Sequence, residues 1–173
     1  MNIIMETSVK LYSLSYKEAK TYMFALLFIA GNIALPQLCH LVPGGGLTWL
    51  PIYFFTLIAA YKYGFRVGLL TAILSPLLNN VLFGMPPTAD LPIILIKSSL
   101  LAGAAAYAAH RFEKVSLLAI LGAVLAYQMV GTLAEWAIKA DFFVALQDFR
   151  IGIAGMLVQV FGGFAVLKAI SKL

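Results

Sequence analysis

Apolar residues fall in long blocks along this chain, and polar residues mark where each block ends. The first block, Thr21 to His40, predicts a membrane helix that contains Asn32 and Pro36. A proline there marks a kink, tolerated because neighbouring groups re-satisfy the freed carbonyl. The charge-free segment Leu41 to Trp49 (LVPGGGLTW) follows. Its three glycines give it the backbone freedom either to fold over a ligand or to join two helices. The second block, Leu50 to Tyr61, is short, and it spans a bilayer only if its flanks share the depth or the bilayer thins. The third stretch, Tyr61 to Pro87, opens with the basic turn Lys62 to Arg66 and continues for about 18 mostly apolar or small residues, roughly a bilayer core. Further helices are expected over Pro92 to Ala109, Val115 to Ala137 and Arg150 to Leu167.

Within the blocks, residue types recur at helical spacing. Gly64, Gly68 and Ala72 form a small-residue row in the third helix, continued by Pro76 and Asn80. Thr71, Ser75 and Asn79 form a polar row beside it. Small residues let another helix approach closely, and polar ones bond across helices. Gln128, Gly131, Thr132 and Glu135 stand at i, i+3, i+4 and i+7, on one face of the fifth helix. Gly152, Gly155, Gln159 and Gly163 fall close to one face of the sixth. There is no internal repeat and no domain boundary. The expectation is an all-α integral membrane protein, one six-helix domain over residues 1–173, with 1–20 a polar cytoplasmic segment. Leu11 to Lys20 is expected as a short interfacial helix, and the N-terminal sequence lacks the pattern of a signal peptide.

Composition agrees with this class. Hydrophobic residues make up 62% and charged residues 11% of the chain, against about 25% charged in soluble domains. The single cysteine, Cys39, excludes an intrachain disulfide and a cysteine-based metal cluster. The net charge of +5 is read by position, not as affinity for nucleic acid. Basic residues gather before the first helix, between the second and third, between the fourth and fifth, and after the sixth. The loops after helices one and three have none; Lys139 and Arg150 are the imperfect case. The positive-inside rule then puts both termini in the cytoplasm of a multi-pass protein.

With that orientation, polar and aromatic groups collect in the outer half of the bundle. Lys97 lies roughly 9 Å into the fourth helix from outside. Glu135 is near the outer end of the fifth helix, Asn79 and Asn80 near that of the third, and Trp49, Tyr53 and Trp136 fall on the same side. Ionisable groups inside a membrane segment are functional candidates, and an aromatic wall with a few polar groups suits a small molecule. The alternatives are plain. Lys97 and Glu135 either pair with each other or touch a substrate. The tryptophans either line a pocket or belong to an interfacial belt. Asn79, Asn80, Gln128 and Gln159 serve as interhelical bonds in the simpler reading. Asp141 and Asp148 are expected as solvated loop acids. No HExxH, GxSxG or P-loop pattern is present, and His40 and His110 fall on opposite sides, so neither enzymatic chemistry nor a metal or other cofactor is expected.

The Ala30/Ala34 pair, the short second helix and the loop beginning FGMPP resemble the substrate-binding S components of energy-coupling factor (ECF) vitamin transporters. Length, six helices and cytoplasmic termini also fit. The resemblance covers most of the chain. It implies a bacterial cytoplasmic-membrane subunit that binds a micronutrient near the outer face. A coupling subunit and two ATPases would drive release inside, with the S component toppling in the membrane. It implies contact of Ala30 and Ala34 with the coupling subunit, a pocket covered by Leu41 to Trp49, and binding residues from later helices and outer loops, consistent with Lys97, Glu135 and Trp136. The Met-His start of the nickel and cobalt members is absent, since Asn2 follows Met1. No vitamin is singled out; a lysine and a glutamate suit a zwitterion, a carboxylate or a cationic heterocycle. The alternatives are a non-transporting membrane scaffold and a stand-alone facilitator.

Overall fold

The computed structural model describes residues 6, 7 and 10–171. Lys172, counted above among the basic residues after the last helix, and the Met1–Asn2 start lie outside them. The described residues are all-α apart from one two-residue strand pair. Their helices are α1 (Ala19–Cys39), α2 (Gly45–Trp49), α3 (Phe54–Tyr63, preceded by a 3₁₀ turn at Pro51–Tyr53), α4 (Phe65–Phe83), α5 (Leu91–Phe112) and α6 (Leu117–Lys139). Short α7 (Phe142–Ala145) and α8 (Gln147–Arg150) lead to α9 (Ile153–Leu157), a π-helical segment at Val158–Gly162, and α10 (Gly163–Ala169). Strand β1 (Glu6–Thr7) pairs antiparallel with β2 (Val115–Ser116), Glu6 opposite Ser116.

Among the described residues four helices, α1, α4, α5 and α6, are long and apolar enough to cross a membrane. Residues 153–169 form a shorter apolar helix. The short second helix owes its composition to its position. Every residue from Thr56 to Tyr63 is buried, and α3 packs against α1, α4, α5 and α10. A helix enclosed on all sides by others is apolar all round and need not match bilayer thickness. The small-residue row of α4 serves this packing: a Cβ on Gly68 would sit 2.7 Å from the Ala60 Cα of α3.

The two ends of the bundle differ in charge. At the basic end, Lys62 is fully buried and its ammonium donates to the carbonyls of Lys10 (2.8 Å) and Ser171 (3.5 Å). Tyr61 donates to the Lys114 carbonyl at 2.8 Å. The amides of Tyr12 and Leu14 bond to the carbonyls of Lys62 and Tyr63. These bonds tie residues 10–14 across the end of α3. The expected interfacial helix over Leu11 to Lys20 is not formed. The segment is irregular until Ala19, because its backbone amides bond to the end of α3 and its apolar residues show no helical stripe.

Candidate functional site

The opposite end carries the acids. Lys97 sits one and a half turns into α5 and is 2% exposed. Its ammonium meets Glu135 Oε2 of α6 at 2.6 Å and Asp148 Oδ2 of α8 at 2.9 Å. Glu135 Oε1 lies 3.4 Å from Lys139, whose ammonium also reaches Asp90 Oδ1 at 2.8 Å. The result is one alternating line of charge: Asp148, Lys97, Glu135, Lys139, Asp90. Removing an ammonium from water is costly unless hydrogen-bonded counter-charges replace its hydration, and here two carboxylates do so. Asp148 is therefore not the solvated loop acid expected from its place in the connection. Its side chain is 14% exposed. Asp141 is exposed and accepts from the amides of Phe143 and Val144, capping α7.

Lys97 reaches this position across α6 because the residue facing it is glycine. A Cβ on Gly131 would lie 2.5 Å from Lys97 Cγ and 3.2 Å from Cε. Gly131→Ala is expected to push the lysine stem aside and cost about 1–3 kcal/mol by overpacking. Gly122, on the same helix, has open space at its Cβ. Gly122→Ala is the matched control and should leave the thermal midpoint in detergent unchanged.

All five charged residues line one cavity of about 140 Å³, together with Gly46, Leu47, Ile52 and Tyr53. A second cavity of about 140 Å³ adjoins it and shares Gly46, Leu47, Ile52, Asp90 and Ile94 as a wall. The glycine-rich segment thus borders both, part of it as the short helix α2. This helix can lie against α9 because Gly155 has no side chain: a Cβ there would strike the Trp49 carbonyl.

The residues singled out from the sequence separate by placement. Lys97, Glu135 and Tyr53 meet at the first cavity. Asn79 lines the second, but its amide is spent on the carbonyls of Asn32 (2.9 Å) and Ser75 (3.0 Å). Asn80 donates to the Pro86 carbonyl at 2.8 Å and to Thr88 at 3.2 Å, holding the loop between α4 and α5. Trp49 and Trp136 are 41% and 46% exposed and line neither cavity; Trp136 packs edge-on against Phe142. Deeper in the bundle, Tyr127 donates to Gln159 Oε1 at 2.9 Å. Both ends of the Gln128 amide, Thr132 Oγ1 and Ser98 Oγ are buried with no hydrogen-bond partner among the described residues. Gln128 is thus not the interhelical bond expected of it. On α1, Ala30 and Ala34 are exposed, beside exposed Leu26, Leu27 and Leu38.

Asp148, Asp90 and Lys139 complete the site, and the sequence reading did not select them. Among the described residues no group of His, Cys, Asp and Glu is arranged to hold a metal ion. The chain has no match among protein-family models, curated proteins or solved structures.

Proposed function

We propose that this chain is the substrate-binding membrane subunit of an ECF transporter, taking up a vitamin or related micronutrient across a bacterial cytoplasmic membrane. In this reading six segments cross the bilayer, residues 51–63 and 153–169 being the two short ones, and both termini are cytoplasmic. The observation that carries it is the fully paired Lys97 network on the wall of a cavity at the less basic end, bordered by the glycine-rich segment. Ionisable residues inside membrane segments are functional-site candidates by default. The exposed Ala30/Ala34 face supports a second role. A flat small-residue surface on a membrane helix suits another helix, here one of a coupling subunit whose two ATPases supply the energy.

Mass spectrometry of the mildly purified protein tests this. A stoichiometric micronutrient, absent from Glu135→Gln and from the Lys97→Met/Glu135→Gln pair, is the expected result, together with a coupling subunit and ATPases. One observation favours the scaffold reading instead: each ammonium of the network already has two carboxylates within the chain. A scaffold would tolerate the double substitution. Cell-shape or cell-wall partners without any ligand would overturn the transport reading.

A further inference from the structure

We infer that the solute bound at this site is a small monocation, with N–H donors on a flat apolar body; this rests on the binding-subunit reading above. The charge line begins and ends in a carboxylate, so three carboxylates face two ammoniums around one cavity. Lys97, Glu135 and Asp148 are withdrawn from water, whereas Lys139 and Asp90 are 29% and 41% exposed; the excess negative charge attracts a cation and opposes an anion, most strongly at the Asp148 end. The end carboxylates also have capacity to spare. Asp148 meets Lys97 through Oδ2, and Asp90 meets Lys139 through Oδ1. Each keeps an oxygen able to accept a charge-assisted bond.

Tyr53 adds a polar group to the same wall. It is 3% exposed and lines the cavity, and its hydroxyl is not among the fully enclosed polar atoms left without a partner. A phenol hydroxyl both donates and accepts, so it can bond a ligand N–H without itself deciding the ligand's charge. The apolar body follows from the adjoining cavity, where Pro36, Pro51, Met85, Pro86 and Pro87 supply most of the remaining wall and His40 and Asn79 the polar exceptions. Each cavity alone is below the roughly 300 Å³ at which small-molecule sites begin. The solute is therefore small and lies across both.

Three probes of one shape separate the charge classes: benzamidine, benzoate and benzyl alcohol, titrated calorimetrically into the full chain in lipid nanodiscs. Benzamidine is expected to bind saturably and at least about tenfold tighter than the other two. Asp148→Asn should weaken it about tenfold. Asp90→Asn, which leaves both contacts of Lys97 intact, should weaken it in the same direction and covers the case in which Asp148→Asn does not fold. Benzoate or benzyl alcohol binding as tightly as benzamidine would overturn the charge assignment and leave the binding-subunit reading standing. So would an anionic solute found in the mass spectrum of the purified protein. Failure of a folded protein to bind benzamidine overturns the cation inference; the binding-subunit reading is then judged by whether any solute co-purifies.

Discussion

Lys97→Met is expected to destabilise the protein by about 3–5 kcal/mol, the usual cost of removing one partner from a buried ion pair. Methionine keeps an unbranched apolar stem only one heavy atom shorter than lysine, so lost packing is a small part of the effect. The larger part is electrostatic. Asp148 loses the ammonium at 2.9 Å and Glu135 the one at 2.6 Å, in a place where water replaces them poorly. The two carboxylates are not stranded equally. Glu135 retains Lys139 at 3.4 Å through its other oxygen, whereas Asp148 has no other ion-pair partner among the described residues. The double variant Lys97→Met/Asp148→Asn should therefore recover at least half of the loss. Asp148→Asn alone should cost less than Lys97→Met, since Lys97 keeps Glu135. The thermal midpoints of the four proteins in one detergent form the cycle that isolates the coupling. A loss below about 1 kcal/mol for Lys97→Met would place the pair with solvent-screened surface bridges and remove its claim to be a buried site.

The parts of this site that could be read from the sequence are those where helical periodicity carries depth. Lys97 stands alone in an apolar helix, and Gln128, Gly131, Thr132 and Glu135 share a face that the structure buries throughout. The same 100° step explains what adjacency alone misleads about. Trp136 follows Glu135 directly and so faces away from it, and Asn80 is turned to a loop while Asn79 is buried between helices. Asp148 was not legible. It lies in a connection of short helical turns, where no continuous period reports which side chains turn inward. The enclosure of α3 is likewise a fact of assembly. A twelve-residue apolar run reads the same whether lipid or protein surrounds it. The π-helical segment at Val158–Gly162 interrupts the last helix without a proline, and its sequence gives no sign of the change in winding.

Asn32→Leu is expected to cost about 2–3 kcal/mol and to loosen the site without touching it. Asn32 is fully buried in α1. Its amide donates to Thr56 at 3.0 Å and Ser75 at 3.4 Å, and its oxygen accepts from the Phe55 amide at 3.1 Å. One side chain thus joins α1, α3 and α4. Leucine has nearly the same volume, so the loss is one of bonds and not of packing. Interhelical bonds in membrane proteins average only about 0.6 kcal/mol each, and Thr56 can turn its hydroxyl back to its own helix. The Phe55 amide has no such recourse. It lies in the first turn of α3, where amides lack an intrahelical acceptor, and leaving it bare costs about 1–3 kcal/mol. The first turn of α3 continues directly from the Pro51–Tyr53 turn that carries Tyr53 into the cavity. Releasing Phe55 should therefore raise hydrogen exchange across residues 51–57 and, if the chain is the binding subunit proposed above, weaken ligand binding, although Asn32 lines neither cavity. Asn80→Ala, which frees only bonds to an exposed loop, should change stability by less than about 1 kcal/mol and leave that exchange unaltered. Equal effects of the two substitutions would mean that the Asn32 bonds do not position α3.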